Sequence, residues 1–259
     1  MKELVTVFAA CAIAGAALAV DSNIVGYQMH NLKAGPNLMG VAWEGIGDSG
    51  EQIGLADIMD ITQLTSYDVS EYVEGDYAQA WDINIGNWGP VYFYIDEPSW
   101  GSSYENTWMT DGYAPINPKL DAGQAFWLFL KDDINNFPFK GQVAESGAII
   151  TLENGPNLIA NPLPRSVNLV DEALVLFGGQ KTSYDVSEYA EGDSVQTWDY
   201  SIGNWGPIYL YIDEPTWGTS YENTWMTDGY VPGSAVVSAG SGFWYFAKKA
   251  GVEVTFKGL

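Results

Sequence analysis

A chain of 259 residues with one cysteine and one histidine has little material for several common chemistries. Cys11 stands alone, so no disulfide can form within the chain, and stability has to come from core packing, bound ions or assembly. His30 has no duplicate, which leaves a histidine-dependent triad without its base and a zinc cluster without ligands. Basic residues are scarce as well: 10 Lys+Arg stand against 33 Asp+Glu, giving a formal charge of −23 and a pI near 4.1. Nucleic acid and anionic membrane surfaces are excluded as partners on that ground, because phosphate binding needs clustered Lys and Arg. There is no P-loop, and no G-x-G-x-x-G lies between a strand and a helix, so nucleotide binding has no support. After the first nineteen residues, no stretch approaches the roughly 18 uninterrupted apolar residues of a spanning helix.

Those first nineteen residues differ from the rest. Lys2 precedes an apolar run from Leu4 to Ala19 that ends in Ala17-Leu18-Ala19, the small-x-small pattern of a signal peptidase site. The segment 1–19 is therefore expected to be a signal peptide, with the mature chain starting at Val20 and the protein secreted, extracellular or at the cell surface. A lipoprotein reading of Cys11 fails, because the apolar stretch continues past the cysteine instead of preceding it. With 47% hydrophobic residues the remainder can bury a sizeable core.

The strongest signal is internal repetition. Thr65 to Tyr113 returns as Thr182 to Tyr230 with roughly four in five residues identical. Ten of the eleven tryptophans are five duplicated positions 117 residues apart: Trp81 and Trp198, Trp88 and Trp205, Trp100 and Trp217, Trp108 and Trp225, Trp127 and Trp244. Gly35-Pro36-Asn37-Leu38 recurs as Gly155-Pro156-Asn157-Leu158 at a spacing of 120. Two copies, 20–143 and 144–259, follow. Within each, short runs of Val, Ile, Tyr, Phe and Trp alternate with Gly, Pro, Asn and Asp, and no long stretch sustains helical periodicity. The expectation is an all-β chain of two tandem homologous sandwich or barrel-like modules packed together. Strands are expected at Ile24 to Met29, Asn37 to Ala42, Ala78 to Ile83, Val91 to Ile95, Ala125 to Leu130 and Ile149 to Leu152, with hairpin turns at Ile85-Gly86-Asn87 and Ile202-Gly203-Asn204. Gly54 to Ile61 and Leu169 to Phe177 read as short helices.

The anchors Gly35-Pro36-Asn37-Leu38 with Gly123-Gln124-Ala125-Phe126-Trp127, and Gly155-Pro156-Asn157-Leu158-Ile159-Ala160-Asn161-Pro162 with Gly240-Ser241-Gly242-Phe243-Trp244, carry a resemblance. They are similar to secreted bacterial surface proteins with a "G-x-N-L-x-x-x-P … G-x-G-[FY]-W" pattern at the two ends of a β module. The first copy departs from it at Ala42 and at Gln124-Ala125. The resemblance implies location and architecture, and no catalytic residue.

The duplicated block interleaves flat aromatic rings with carboxylates, which is the chemistry of sugar recognition: ring faces stack on C–H groups while polar side chains fix hydroxyls. The ligand-binding candidates are Trp81, Trp88, Asp96, Glu97, Trp100 and Trp108, with Trp198, Trp205, Asp213, Glu214, Trp217 and Trp225 in the second copy. The competing reading is that these rings are core and cross-strand residues. Asp96-Glu97 alone does not make a glycosidase, since neighbours on a strand project to opposite faces and a partner carboxylate such as Glu105 or Asp111 would be needed; the chain is expected not to be an enzyme, with that pairing as the open alternative. No Lys or Arg occurs from Ala34 to Pro118 or from Thr182 to Ala247. Calcium would suit such acidic loops, with Glu74, Asp76, Asp111, Glu191, Asp193 and Asp228 as metal candidates, although the EF-hand spacing is absent. The functional expectation is a structural or adhesive component of a bacterial surface or extracellular matrix. It includes head-to-tail self-assembly in which a neighbour's N-terminal strand takes the place that Val143 to Leu152 fills internally. The alternative is a bivalent protein that binds polysaccharide.

Overall fold

The computed structural model describes residues 25–42, 52–68, 74–142, 147–169, 175–178, 181–185, 191–227 and 229–257. The segment 1–19 expected to be a signal peptide, Trp43 and the metal candidate Asp228 lie outside them. In chain order the strands of the first copy are β1 Val25–Leu32, β2 Gly35–Gly40, β3 Ile53–Gly54, β4 Tyr77–Asp82, β5 Asn87–Ile95, β6 Thr107–Met109, β7 Pro115–Ile116, β8 Lys119–Leu120, β9 Ala125–Leu130 and β10 Ile134–Gln142. Those of the second are β11 Gly147–Leu152, β12 Gly155–Ala160, β13 Val167–Asn168, β14 Val175–Gly178, β15 Ser194–Asp199, β16 Asn204–Ile212, β17 Thr224–Thr227, β18 Val236–Val237, β19 Gly242–Ala247 and β20 Val252–Lys257. Among the described residues the protein is all-β apart from the single turn of helix α1 Leu55–Ile58 and several 3-10 turns. No helix among the described residues is long and apolar enough to cross a membrane.

Two large antiparallel sheets have matching strand orders, β2-β9-β4-β5-β6-β7 and β12-β19-β15-β16-β17. Both are open among the described residues, with no pairing that closes either into a barrel. A smaller sheet accompanies each, β1-β10 in the first copy and β11-β20-β14 in the second. The central strand β9, Ala-Phe-Trp-Leu-Phe-Leu, shows why the layers form. Phe126, Leu128 and Leu130 alternate into a core shared with Leu32, Ile58, Phe137 and Phe139. Trp127 and Phe129 point to the other face, where Phe129 stacks on Tyr77 of β4 with 4.4 Å between ring centroids. A strand covered on both faces reads as a continuous apolar run, and this one does. β19 repeats the pattern in a second core that contains Phe243, Tyr245, Val254 and Phe256.

The turns Ile85-Gly86-Asn87 and Ile202-Gly203-Asn204 do join paired strands, with Asp82 opposite Asn87 and Asp199 opposite Asn204. The helix expected over Gly54 to Ile61 shrinks to α1 and the 3-10 turn Ile61–Gln63. The second expected helix is wrong where the structure describes it: Val175–Gly178 is a strand paired with β20, its apolar run serving a sheet edge rather than a helix face.

The two large sheets meet along β2, β9, β12 and β19, and the contact is reciprocal. Gly40 N–H donates to the Gly240 carbonyl at 2.8 Å, and the equivalent Ala160 N–H donates to the Gly123 carbonyl at 2.7 Å. Isolated bridges repeat the exchange, Met39 with Ser241 and Gln124 with Ile159. Gly123 and Gly240 have φ of +83° and +64°, a conformation only glycine adopts cheaply, and both present their carbonyls to the other copy. Above this seam six tryptophans interlock. Trp81 meets Trp244 edge-to-face at 4.9 Å, and Trp127 meets Trp198 at the same 4.9 Å. Trp88 and Trp205 close the cluster at 5.1 Å from Trp81 and Trp198 respectively.

A pairing in which each side gives and receives the same contact is closed and leaves no copy of its surface free for a third unit. Among the described residues β20 is flanked by β11 and β14 and β1 pairs with β10, so a neighbour's strand would have to add at the outer edge of β1 or β11 instead. A β-carbon at Gly40 would lie 2.3 Å from the Ala160 β-carbon. Gly40→Ala is therefore expected to destabilise the protein by about 1–3 kcal/mol in urea unfolding, and adding Ala160→Gly should recover much of the loss by moving the methyl to the other side of the seam.

Candidate functional site: two exposed aromatic loops

The structure divides the expected ligand residues into three groups. Trp81, Trp88, Trp198 and Trp205 belong to the cluster between the sheets, joined by Trp127 and Trp244. Trp108 and Trp225 are fully buried, each in the core of its own copy beside Tyr94 and Tyr211. Trp108 and Trp225 are enclosed by their cores and the other four rings pack in the cluster, with Trp88 and Trp205 half-buried, which is the packing use of the competing reading. Only Trp100 and Trp217 are open to solvent, at 44% and 47% exposure. They share their loops with Asp96 and Glu97, and with Asp213 and Glu214.

Each loop connects the fourth and fifth strands of its sheet order, β5 to β6 and β16 to β17, away from the strands that form the seam. Pro98–Trp100 and Ser102–Tyr104 are consecutive 3-10 turns, and Pro215–Trp217 and Thr219–Tyr221 repeat them. Backbone hydrogen bonds lace the loop: Glu97 N–H to the Tyr104 carbonyl at 2.8 Å, Trp100 N–H to Glu97 at 3.1 Å and Tyr104 N–H to Gly101 at 3.0 Å. The second copy reproduces them at 2.8, 3.1 and 3.0 Å. Side chains brace the base. The Ser66 hydroxyl accepts the Asp96 N–H at 2.8 Å, and the Tyr94 hydroxyl donates to Asn106 at 2.8 Å. Ser99 donates to Glu97, as Thr216 does to Glu214.

Asn106 and Asn223 sit at φ of 45° and 46°, and Tyr113 and Tyr230 both at 58°. Left-handed backbone at a tyrosine is uncommon, and its retention at the same place in both copies marks a shape held by its surroundings. The result is a small preorganised aromatic patch. Trp100 lies edge-to-face with Tyr104 at 5.6 Å, and Trp217 with Tyr221 at 5.7 Å. Tyr113 and Tyr230 are also exposed, and their carbonyls accept long hydrogen bonds from the Tyr104 and Tyr221 hydroxyls at 3.4 and 3.5 Å. These four tyrosines complete the patch. Their signal in the sequence was membership of the same duplicated block, with nothing to separate them from the buried aromatics. Exposed Glu105 and Glu222 add charge, and no Lys or Arg belongs to either loop.

The acidic candidates for a metal fare differently. Asp76 is buried, and its carboxylate accepts the Thr65 N–H and the Lys131 N–H, both at 2.7 Å. Burial pushes its pKa up, partly offset by those two bonds. Asp193 is equally buried and accepts the Lys248 N–H at 2.8 Å and the Tyr245 hydroxyl at 3.0 Å. Both are fasteners that tie a loop to the end of a central strand. Glu191 pairs with Lys248 at 2.6 Å on the surface, and Glu74 and Asp111 are exposed. No cluster of three or more His, Cys, Asp or Glu groups suited to a metal ion forms among the described residues.

No family model, curated protein or solved structure matches the chain.

Asp76→Ala would leave the part-buried Thr65 and Lys131 N–H groups without this acceptor, and denaturant unfolding should show a loss of about 1–3 kcal/mol. The same substitution at exposed Asp111 should cost less than about 0.5 kcal/mol.

Proposed function

We propose that this chain is an exported, non-enzymatic structural or adhesive component of a bacterial surface or extracellular matrix, attaching through two copies of one aromatic loop. The observation that supports this is the exposure of Trp100 and Trp217 in loops of the same internal geometry, while the other eight duplicated tryptophans are buried or half-buried. A sequence that puts most of its aromatic surface into packing, and leaves one ring out at the same position twice, favours two-point attachment. Linking two weak sites on one rigid body raises avidity without any new contact. β20 is flanked on both sides within the chain, so head-to-tail growth would have to use an outer strand such as β1 or β11, whereas the two loops support attachment directly.

Polysaccharide is the target class that fits the patch. An exposed indole beside phenol hydroxyls and carboxylates matches the alternating C–H faces and hydroxyls of a sugar chain. With a formal charge of −23 and no basic residue in either loop, the fit is to a neutral or cationic polymer rather than an acidic one.

Pull-down of the mature chain on insoluble neutral polysaccharides and on isolated cell walls tests the proposal. Trp100→Ala and Trp217→Ala should each weaken retention by about 10- to 100-fold, and the double variant should fall to background. All three should keep the parent's unfolding midpoint, since both rings are exposed. Undiminished retention of the double variant would contradict the proposal.

A further inference from the structure

The two ends of the reciprocal seam are not filled alike. In the turn after β15 the chain has Tyr200, and at the equivalent place after β4 it has Ile83. The Tyr200 ring crosses the seam into the first copy. Its hydroxyl donates to the Leu38 carbonyl, and burial pushes its pKa up. At the other end of the seam lies a cavity of about 270 Å³, lined among others by Ile83, Leu158, Gln124, Ile150, Asp82 and Asp121.

The internal duplication relates this cavity to the surroundings of Tyr200. Leu158 stands where Leu38 does, 120 residues on, and Gln124 takes the place of Ser241 at a spacing of 117. Ile150 replaces His30, whose half-buried ring packs edge-to-face on Phe139 at 5.2 Å. Two rings at one end of the seam are thus replaced by two isoleucines at the other, and the volume they vacate is the cavity. The first copy therefore supplies a template for what the cavity accepts.

We propose that this cavity binds a small phenol carrying a neutral or cationic tail. The ligand ring takes the place equivalent to that of the Tyr200 ring, and its hydroxyl donates to the Leu158 carbonyl as Tyr200 donates to Leu38. Ile83, Ile150 and Ile159 supply apolar walls, and the carboxylates of Asp82 and Asp121 favour an ammonium tail over a carboxylate. No Lys or Arg lines the cavity. The site is separate from the aromatic loops and does not depend on their role.

Calorimetric titration of the mature chain with tyramine, p-cresol and 4-hydroxyphenylacetate tests the site. Tyramine should bind saturably at one site per chain, and 4-hydroxyphenylacetate at least about tenfold more weakly. Ile83→Tyr, which places the chain's own phenol in the cavity, should abolish tyramine binding while leaving circular dichroism and the unfolding midpoint intact. Should that variant misfold, Ile150→Phe blocks the cavity from the opposite wall and carries the same expectation. Tyr200→Ile should open the matching cavity and raise the stoichiometry from one to two, and the Trp100→Ala, Trp217→Ala double variant should bind tyramine as the parent does. Absence of saturable binding by any of the three phenols, or tyramine binding that survives both cavity-filling variants, would overturn the proposal.

Discussion

Edge-to-face packing of Trp81 on Trp244, answered by Trp127 on Trp198 at the same 4.9 Å, is the contact on which the arrangement of the two sheets depends. It comes from one sequence block written twice, so whatever geometry suits one half is available to the other with the roles exchanged. A twofold-like contact of this kind saturates itself. It also answers a specific difficulty. A chain of charge −23 without disulfides repels itself, and a seam made of indole rings and glycine carbonyls joins the halves without bringing carboxylates together.

The seam determines where everything else can be. It occupies β2 and β9 with their counterparts β12 and β19, at one side of each sheet order, which leaves the β5–β6 and β16–β17 connections free. Those connections carry the two exposed aromatic loops, and the rigidity of the sheets sets the distance between them. Preorganisation inside each loop comes from local hydrogen bonds and left-handed residues, so the loops need no ligand to take shape. The departures from internal symmetry that shape the cavity, Tyr200 against Ile83 and His30 against Ile150, fall on the seam and not on the loops.

Much of the fold was legible in the sequence. Alternation and turn residues located most strands, and the spacing of 117 identified which tryptophans are equivalent. Burial was harder to read, for a physical reason: alternation says that Trp81 and Trp127 share a face of the sheet but not what covers that face. Here the covering is the other copy, so four rings that looked suited to a ligand, Trp81, Trp88, Trp198 and Trp205, pack between the sheets with Trp127 and Trp244. Asp76 and Asp193 misled similarly, because Glu-Gly-Asp reads as an exposed acidic turn until the Thr65, Lys131 and Lys248 amides close around the carboxylates. Val175–Gly178 reads as helix in the sequence because a short apolar run has no period of its own, and pairing with β20 makes it a strand.

Two double-mutant cycles test the reciprocal seam most directly. Trp81→Leu with Trp244→Leu makes one, Trp127→Leu with Trp198→Leu the other, and the cross-pair Trp81→Leu with Trp198→Leu is the control. Measured by equilibrium denaturation, the two contacting pairs should show coupling of the same sign and similar size, about 0.5–1.5 kcal/mol each, and the control a smaller value. Coupling in only one contacting pair, or in neither, would contradict an arrangement in which the two halves hold each other by one contact made twice.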